Sequence, residues 1–210
     1  MPLDLEEQEQ VEELKAWWNR HGTLILVVVL IALIAFVGWV AWRKYEGGQA
    51  AQASVLYETV AKAAQAGDAK ALRDAGGTLA ESYPRTLYAS MGALLAARFY
   101  FDRNDPKNAK AQLQWVIERT PSEDFRDLAR LRLGAVLLDE KAYDEALKIA
   151  DAPHVSAYDA QFAGLKGDVL SAKNQPAEAK AAYKLALEKA GKEDGAFRES
   201  VRMRLEALGG

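Results

Sequence analysis

Cysteine is absent from the 210 residues. The chain therefore has no disulfide framework, no thiolate nucleophile and no Cys-based zinc site. Histidine is scarce, with His21 and His154 the whole complement. His154, after Pro153 in a turn, reads as a solvated surface group rather than a base or ligand. No Gly-rich phosphate loop, HExxH helix or nucleophile elbow occurs. Excess basic charge is also lacking: 27 Lys and Arg stand against 30 Asp and Glu, a formal net charge of −3. That argues against a nucleic-acid surface, which is normally basic. The carboxylate pairs Glu123-Asp124 and Glu193-Asp194 read as helix openings, where they complement the dipole. The expectation is a chain that is not an enzyme, with no catalytic residues, no cofactor and no metal ligands.

What the chain does have is one long apolar run. Thr23 to Trp42 is twenty consecutive residues without a charge, thirteen of them Leu, Ile, Val or Phe. Twenty helical residues rise about 30 Å, the thickness of the hydrocarbon core of a bilayer. At roughly −0.3 to −0.6 kcal/mol each, the thirteen favour insertion by about 4 to 8 kcal/mol. Soluble core helices rarely stay apolar on every face for five turns. A cleavable signal would need a basic start and small residues at its end. Here six acids (Asp4, Glu6, Glu7, Glu9, Glu12, Glu13) precede the run, and Trp39, Trp42, Arg43, Lys44 and Tyr45 close it. Trp17 and Trp18 on one side and Trp39 and Trp42 on the other form interfacial belts, with Arg20, Arg43 and Lys44 snorkelling to the headgroups. The expectation is an uncleaved anchor in contact with membrane lipid. Lys15 and Arg20 balance Arg43 and Lys44, so flanking charge leaves its direction open.

The predicted organisation is a tail over 1–22, a transmembrane helix over 23–42, a linker over 43–50 around Gly47-Gly48, and a helical domain over 51–210. That last part is rich in Ala, Leu, Lys, Glu and Arg, all strong helix formers. Turn signals at Gly67-Asp68, Pro84, Asn104-Asp105-Pro106, Thr120-Pro121-Ser122, Pro153, Asn174-Gln175-Pro176 and Gly191 to Gly195 cut it into helices. Asp105 and Ser122 stand where N-caps belong.

The helices repeat. A shift of 33 carries Gly134 onto Gly167, Leu137 onto Leu170, Ala146 onto Ala179 and Ala150 onto Tyr183. A weaker copy matches Ala97, Tyr100, Ala109 and Leu113 to Gly134, Leu137, Ala146 and Ala150 at a shift of 37. Lys141 to Leu147 is the best local match, with Lys141 where the repeat usually has Gly. Such spacing resembles the tetratricopeptide repeat, whose period is near 34. The fold class expected is all-α: a single N-terminal transmembrane helix followed by a tetratricopeptide-like α-solenoid of helical hairpins. Hairpins before Ala89 are too degenerate to assign, and Phe197, Val201, Leu205 and Leu208 mark a terminal capping helix. First helices of stacked hairpins line a concave groove suited to extended peptides or partner helices. On that face the register places Leu94, Arg98, Phe101, Leu131, Ala135, Leu138 and Asp168. A Lys/Asn clamp for a C-terminal carboxylate is missing from these positions.

The whole order resembles one family, the YfgM-like ancillary subunits of the bacterial SecYEG translocon. The stretches that carry the resemblance are Glu9 to Trp18, Gly38-Trp39, Asn108 to Gln114, Leu131 to Leu133 and Gly164 to Asp168. It implies an inner-membrane, single-pass protein with its tail in the cytoplasm and its repeat domain in the periplasm. It implies the SecYEG translocon and a membrane-anchored periplasmic chaperone of prolyl-isomerase type as partners, with exported client chains passed between them. The family's tail is also connected with restraining a stress-response regulator, whereas the stripe Val11, Leu14, Trp18 suits a helix lying on the membrane surface. The alternative is a tetratricopeptide subunit of another envelope assembly or secretion machine.

Overall fold

The computed structural model describes residues 5–209, which leaves Asp4 of the acidic tail and Gly210 of the expected helical domain outside the described residues. Within that range the regular structure is helical throughout, which agrees with the all-α expectation. The helices are α1 (Leu5–Ala66), α2 (Ala69–Ser82), α3 (Leu87–Phe101), α4 (Pro106–Arg119), α5 (Glu123–Asp139), α6 (Tyr143–Ala150), α7 (Asp159–Ala172), α8 (Pro176–Lys189) and α9 (Gly195–Ala207), with a 3₁₀ turn at Ser156–Tyr158 before α7. The chain falls into two compact units that divide between Gly48 and Gln49.

The first unit is α1 up to Gly48. It is the one helix among the described residues long and apolar enough to cross a membrane, and its most apolar stretch is unburied. Leu26, Val28, Val29 and Ile34, which point to different sides of the helix, are 60%, 57%, 48% and 64% exposed. A soluble core helix would bury such side chains, so lipid is the medium that suits this one. Tail and span form one uninterrupted helix. The Val11, Leu14, Trp18 stripe therefore continues the spanning helix rather than forming a separate surface helix. Positions 43–50, expected as a break, are helical too. Each Gly costs a helix only about 1 kcal/mol, and the Ala and Gln residues that follow Gly48 are good helix formers.

The second unit is a stack of four hairpins and a last helix. The first hairpin, residues 49–66 of α1 with α2, was not legible as a repeat; the others are α3–α4, α5–α6 and α7–α8. One turn closes all four. Gly67, Asn104, Lys141 and Asn174 have φ of 75°, 59°, 61° and 60°. The next residue's N–H in each case donates back five positions: Asp68 to Ala63, Asp105 to Tyr100, Ala142 to Leu137 and Gln175 to Leu170, all at 2.9 Å. This left-handed cap satisfies carbonyls that the helix end would orphan. The turns are spaced 37, 37 and 33 residues apart, so the shifts of 37 and 33 found in the sequence extend one hairpin further back.

The same spacing governs the core. Leu72, Ala109, Ala146 and Ala179 take one position in the four second helices, and none is more than 1% exposed. A Cβ on Gly134 would strike Leu165, and one on Gly167 would lie 2.5 Å from the Tyr183 ring. Glycine here is a requirement of close helix approach. Val201 is fully buried in α9, with Phe197, Leu205 and Leu208 packed around the same cluster. Asp105 and Ser122 cap as expected, accepting from the backbone N–H groups of Asn108 and Phe125.

The α5–α6 hairpin departs from the pattern. Helix α6 has 8 residues where α4 and α8 have 14, and a loop follows it. Asp127, 2% exposed, holds that loop: its carboxylate accepts from Val155 N–H at 2.9 Å and from Arg130 at 3.0 Å. Arg130 in turn donates to Pro153 O at 2.7 Å. His154 is not the solvated group expected from its turn. Its ring stacks on Phe162 at 4.0 Å, its Nδ1 lies 2.8 Å from Ala152 O, and its Nε2 lies 3.4 Å from Asp159. A histidine has an apolar face, and Phe162, itself 1% exposed, offers a surface to cover it.

Candidate partner groove

The repeat register aligns the first helices residue by residue. Leu94, Leu131 and Gly164 share one position; Arg98, Ala135 and Asp168 share the next turn; Phe101 and Leu138 the one after. Three of the seven groove residues expected from sequence, Arg98, Phe101 and Ala135, line one cavity of about 310 Å³ between α3 and α5. Ala97, Leu113 and Val136 form its apolar floor, with Asp102 and Arg132 on the rim. Phe101 is 41% exposed, which is high for a phenylalanine in a packed repeat. Leu94 lies beneath this surface in the core, and Leu131 and Leu138 are half-buried against it.

Asp168 is elsewhere and already engaged. Tyr183 Oη donates to its Oδ1 at 2.8 Å, and Arg204 of α9 donates to Oδ1 at 2.9 Å and Oδ2 at 2.8 Å. Burial pushes the Asp168 carboxyl above its ordinary range, against the pull of Tyr183 and Arg204. The Tyr183 phenol is raised as well, first by burial and then by donating to Asp168. Phe197 of α9 packs at Gly164, so α9 occupies the face of α7 that α3 and α5 leave open.

Arg132 is not among the positions that the repeat register places on this face. Its Nη1 donates to Leu94 O at a long 3.4 Å, and burial, then the nearby charge of Arg98, lower its pKa. It remains a cation, because a guanidinium does not lose its proton in proteins. Arg98 meets Asp102 at 3.6 Å, one turn along its own helix, in a solvated pair that contributes little. Like charges thus face each other over an apolar floor.

The membrane-interface residues sit at both ends of the span. Trp17 lies 5.5 Å from His21, ring to ring, and Trp18 folds onto Gly22, where a Cβ would meet the indole at 3.0 Å. At the other end the Arg43 guanidinium stands 4.8 Å over Trp39, a cation–π contact, and Trp42 lies 6.4 Å from Tyr45. Lys44 is exposed beside them. Among the described residues no group of His, Asp and Glu is arranged to hold a metal ion.

Residues 15–210 match the tetratricopeptide repeat-like domain family. The chain is also similar to proteins described as ancillary SecYEG translocon subunits. It is 31% identical to that of Neisseria gonorrhoeae over 209 residues, covering 99% of this chain and 100% of the relative. Identity to the Haemophilus influenzae protein is 26% over 186 residues, 89% and 91% of the two chains. For Escherichia coli it is 27% over 177 residues, 84% and 85%.

Proposed function

Because this chain belongs to the family of ancillary SecYEG translocon subunits with a tetratricopeptide repeat-like domain, we propose that it is a membrane-anchored scaffold of the export channel. The observation that carries the reading is similarity along nearly the whole chain, span and hairpins together. Its working parts are then an anchor and a protein-binding surface rather than an active site. Helix 23–42 holds it in the inner membrane, with Trp17, Trp18, Trp39, Trp42, Arg43 and Lys44 setting its depth.

In this reading the tail is cytoplasmic and the hairpins are periplasmic. The balanced basic flanks do not decide that direction, so it rests on the family resemblance. The partners are the translocon itself and a membrane-anchored periplasmic chaperone of prolyl-isomerase type, to which exported chains are passed. The α3–α5 seam, with Arg98 and Phe101 exposed, is the surface best suited to such a contact.

Two experiments test this. A reporter fused at the C-terminus is active only in the periplasm if the orientation is right; cytoplasmic activity rejects it. A photo-crosslinker at Phe101 in intact membranes captures translocon subunits or the chaperone. In co-purification of the chain without the crosslinker, Arg98→Glu with Phe101→Ala abolishes recovery of those partners, and undiminished recovery places the contact elsewhere.

A further inference from the structure

One register position carries opposite charges in two seams of the stack and faces an arginine in both. At Asp168 the seam between α7 and α9 is closed: Arg204 crosses it and neutralises the carboxylate. At Arg98, the equivalent residue two hairpins earlier, the cation across the seam between α3 and α5 is Arg132, and the charge is doubled instead. Asp102 offsets one of the two from the rim, leaving the lining net positive on a chain whose formal charge is −3. Arg132 spends one donor on a long bond to Leu94 O, although a guanidinium carries five. Beneath these groups the floor is apolar, and Phe101 stands beside it.

From this unbalanced pair over an apolar floor we infer that the α3–α5 seam takes an extended peptide segment with an acidic side chain two residues from an apolar one, the spacing that puts both on one face of an extended chain. The carboxylate lies between Arg98 and Arg132, as Asp168 lies against Arg204, and the apolar group rests on Phe101 and Ala135. Two guanidiniums facing one carboxylate give charge-assisted hydrogen bonds, the strong class, and the apolar neighbour supplies the area that charge alone does not. An extended strand suits a cavity of about 310 Å³, which accommodates side chains rather than a helix. The inference names the chemistry of the partner surface proposed above and rests on that reading.

The test uses the full chain in lipid nanodiscs and an array of ten-residue peptides differing only at two central positions separated by one residue, which hold Glu-Phe, Asp-Leu, Gln-Phe, Lys-Phe or Glu-Ser. Glu-Phe and Asp-Leu peptides bind at least about tenfold tighter than Gln-Phe or Glu-Ser, as loss of one charge-assisted or buried contact implies. Arg98→Gln with Arg132→Gln erases the preference for Glu over Gln and keeps that for Phe over Ser. Arg98→Glu with Arg132→Glu reverses the charge preference toward Lys-Phe, a gain that a misfolded chain does not produce. Equal binding of Glu-Phe and Gln-Phe, no binding by any peptide, or an acid preference that survives both double variants overturns the inference. Crosslinking from Phe101 is scored separately. If translocon or chaperone capture persists while the array is indifferent, the scaffold reading stands and only the peptide chemistry falls.

Discussion

Arg204, on the last helix, donates to both carboxylate oxygens of Asp168, at 2.9 and 2.8 Å, and so ties α9 to the first helix of the preceding hairpin. Arg204 pulls the Asp168 pKa down while burial pushes it up. Replacing Arg204 with Met leaves burial unopposed by that charge. The Asp168 carboxyl then titrates at still higher pH, a shift read by carbon-13 NMR of the labelled side chain. An unmoved titration would show that the ion pair does not hold in solution.

Asp168 also makes stability depend on pH. Its folded pKa lies above the ordinary value of 3.8, so the folded chain keeps a proton that the unfolded chain releases. The favourable contribution is complete below 3.8 and is lost as pH rises through the raised folded value. Asp168→Asn cannot lose it. The variant therefore gains stability relative to the parent across that window and holds a constant difference above it. Denaturant unfolding at a series of acidic pH values measures this; a flat difference refutes it.

Glycines at similar depth in a helix behave in opposite ways. Gly167→Ala drives a Cβ into the Tyr183 ring, and overpacking of that kind costs about 1 to 3 kcal/mol. Gly77, inside α2, has nothing within 4 Å of its would-be Cβ, and Gly77→Ala stabilises by about 0.5 to 1 kcal/mol. Thermal unfolding monitored by circular dichroism separates the two signs.

Lys141 stands in the left-handed turn with φ of 61°, the position Gly67 fills in the first hairpin. A side chain there costs about 1 to 2 kcal/mol. Lys141→Gly recovers roughly 1 kcal/mol of that, net of the freedom glycine adds to the unfolded chain. Unchanged or lowered stability in urea would argue against strain at this turn.

Asp127→Ala leaves the Val155 N–H without its acceptor and Arg130 without its counter-charge. The expected loss is about 2 to 4 kcal/mol. Backbone N–H groups of residues 152–158 then exchange with deuterium faster than those of α8. Equal protection in the two segments would mean that the loop is held by other contacts.

The register was readable where small residues carry it. Gly134 and Gly167, Ala146 and Ala179 sit at sites where a larger side chain does not fit, so their identity survives in the sequence. In the first hairpin the equivalents are Val60 and Leu72, which keep the burial but not the small size. The repeat was therefore invisible there, although Gly67-Asp68 already held the turn that closes it. The lining of the α3–α5 cavity was legible in part for a different reason. Alignment by Cβ position found Arg98, Phe101 and Ala135 but not Arg132, one residue after Leu131, because a long side chain reaches beyond its own position. Asp168 was on the expected helix, but its partner lies 36 residues ahead in a capping helix whose register sequence spacing did not supply. The environment of His154 is not legible from its turn alone, because its stacking partner, Phe162, lies on the following helix.

The apolar helix between Thr23 and Trp42 exposes comparable side chains on every side. Lipid acting on such a cylinder fixes how deep it sits, through the aromatic and basic residues at its ends, but exerts almost no torque about its axis. Its azimuth in the membrane is then decided by whichever neighbouring helix packs against it. An anchor of this kind turns freely until a partner stops it.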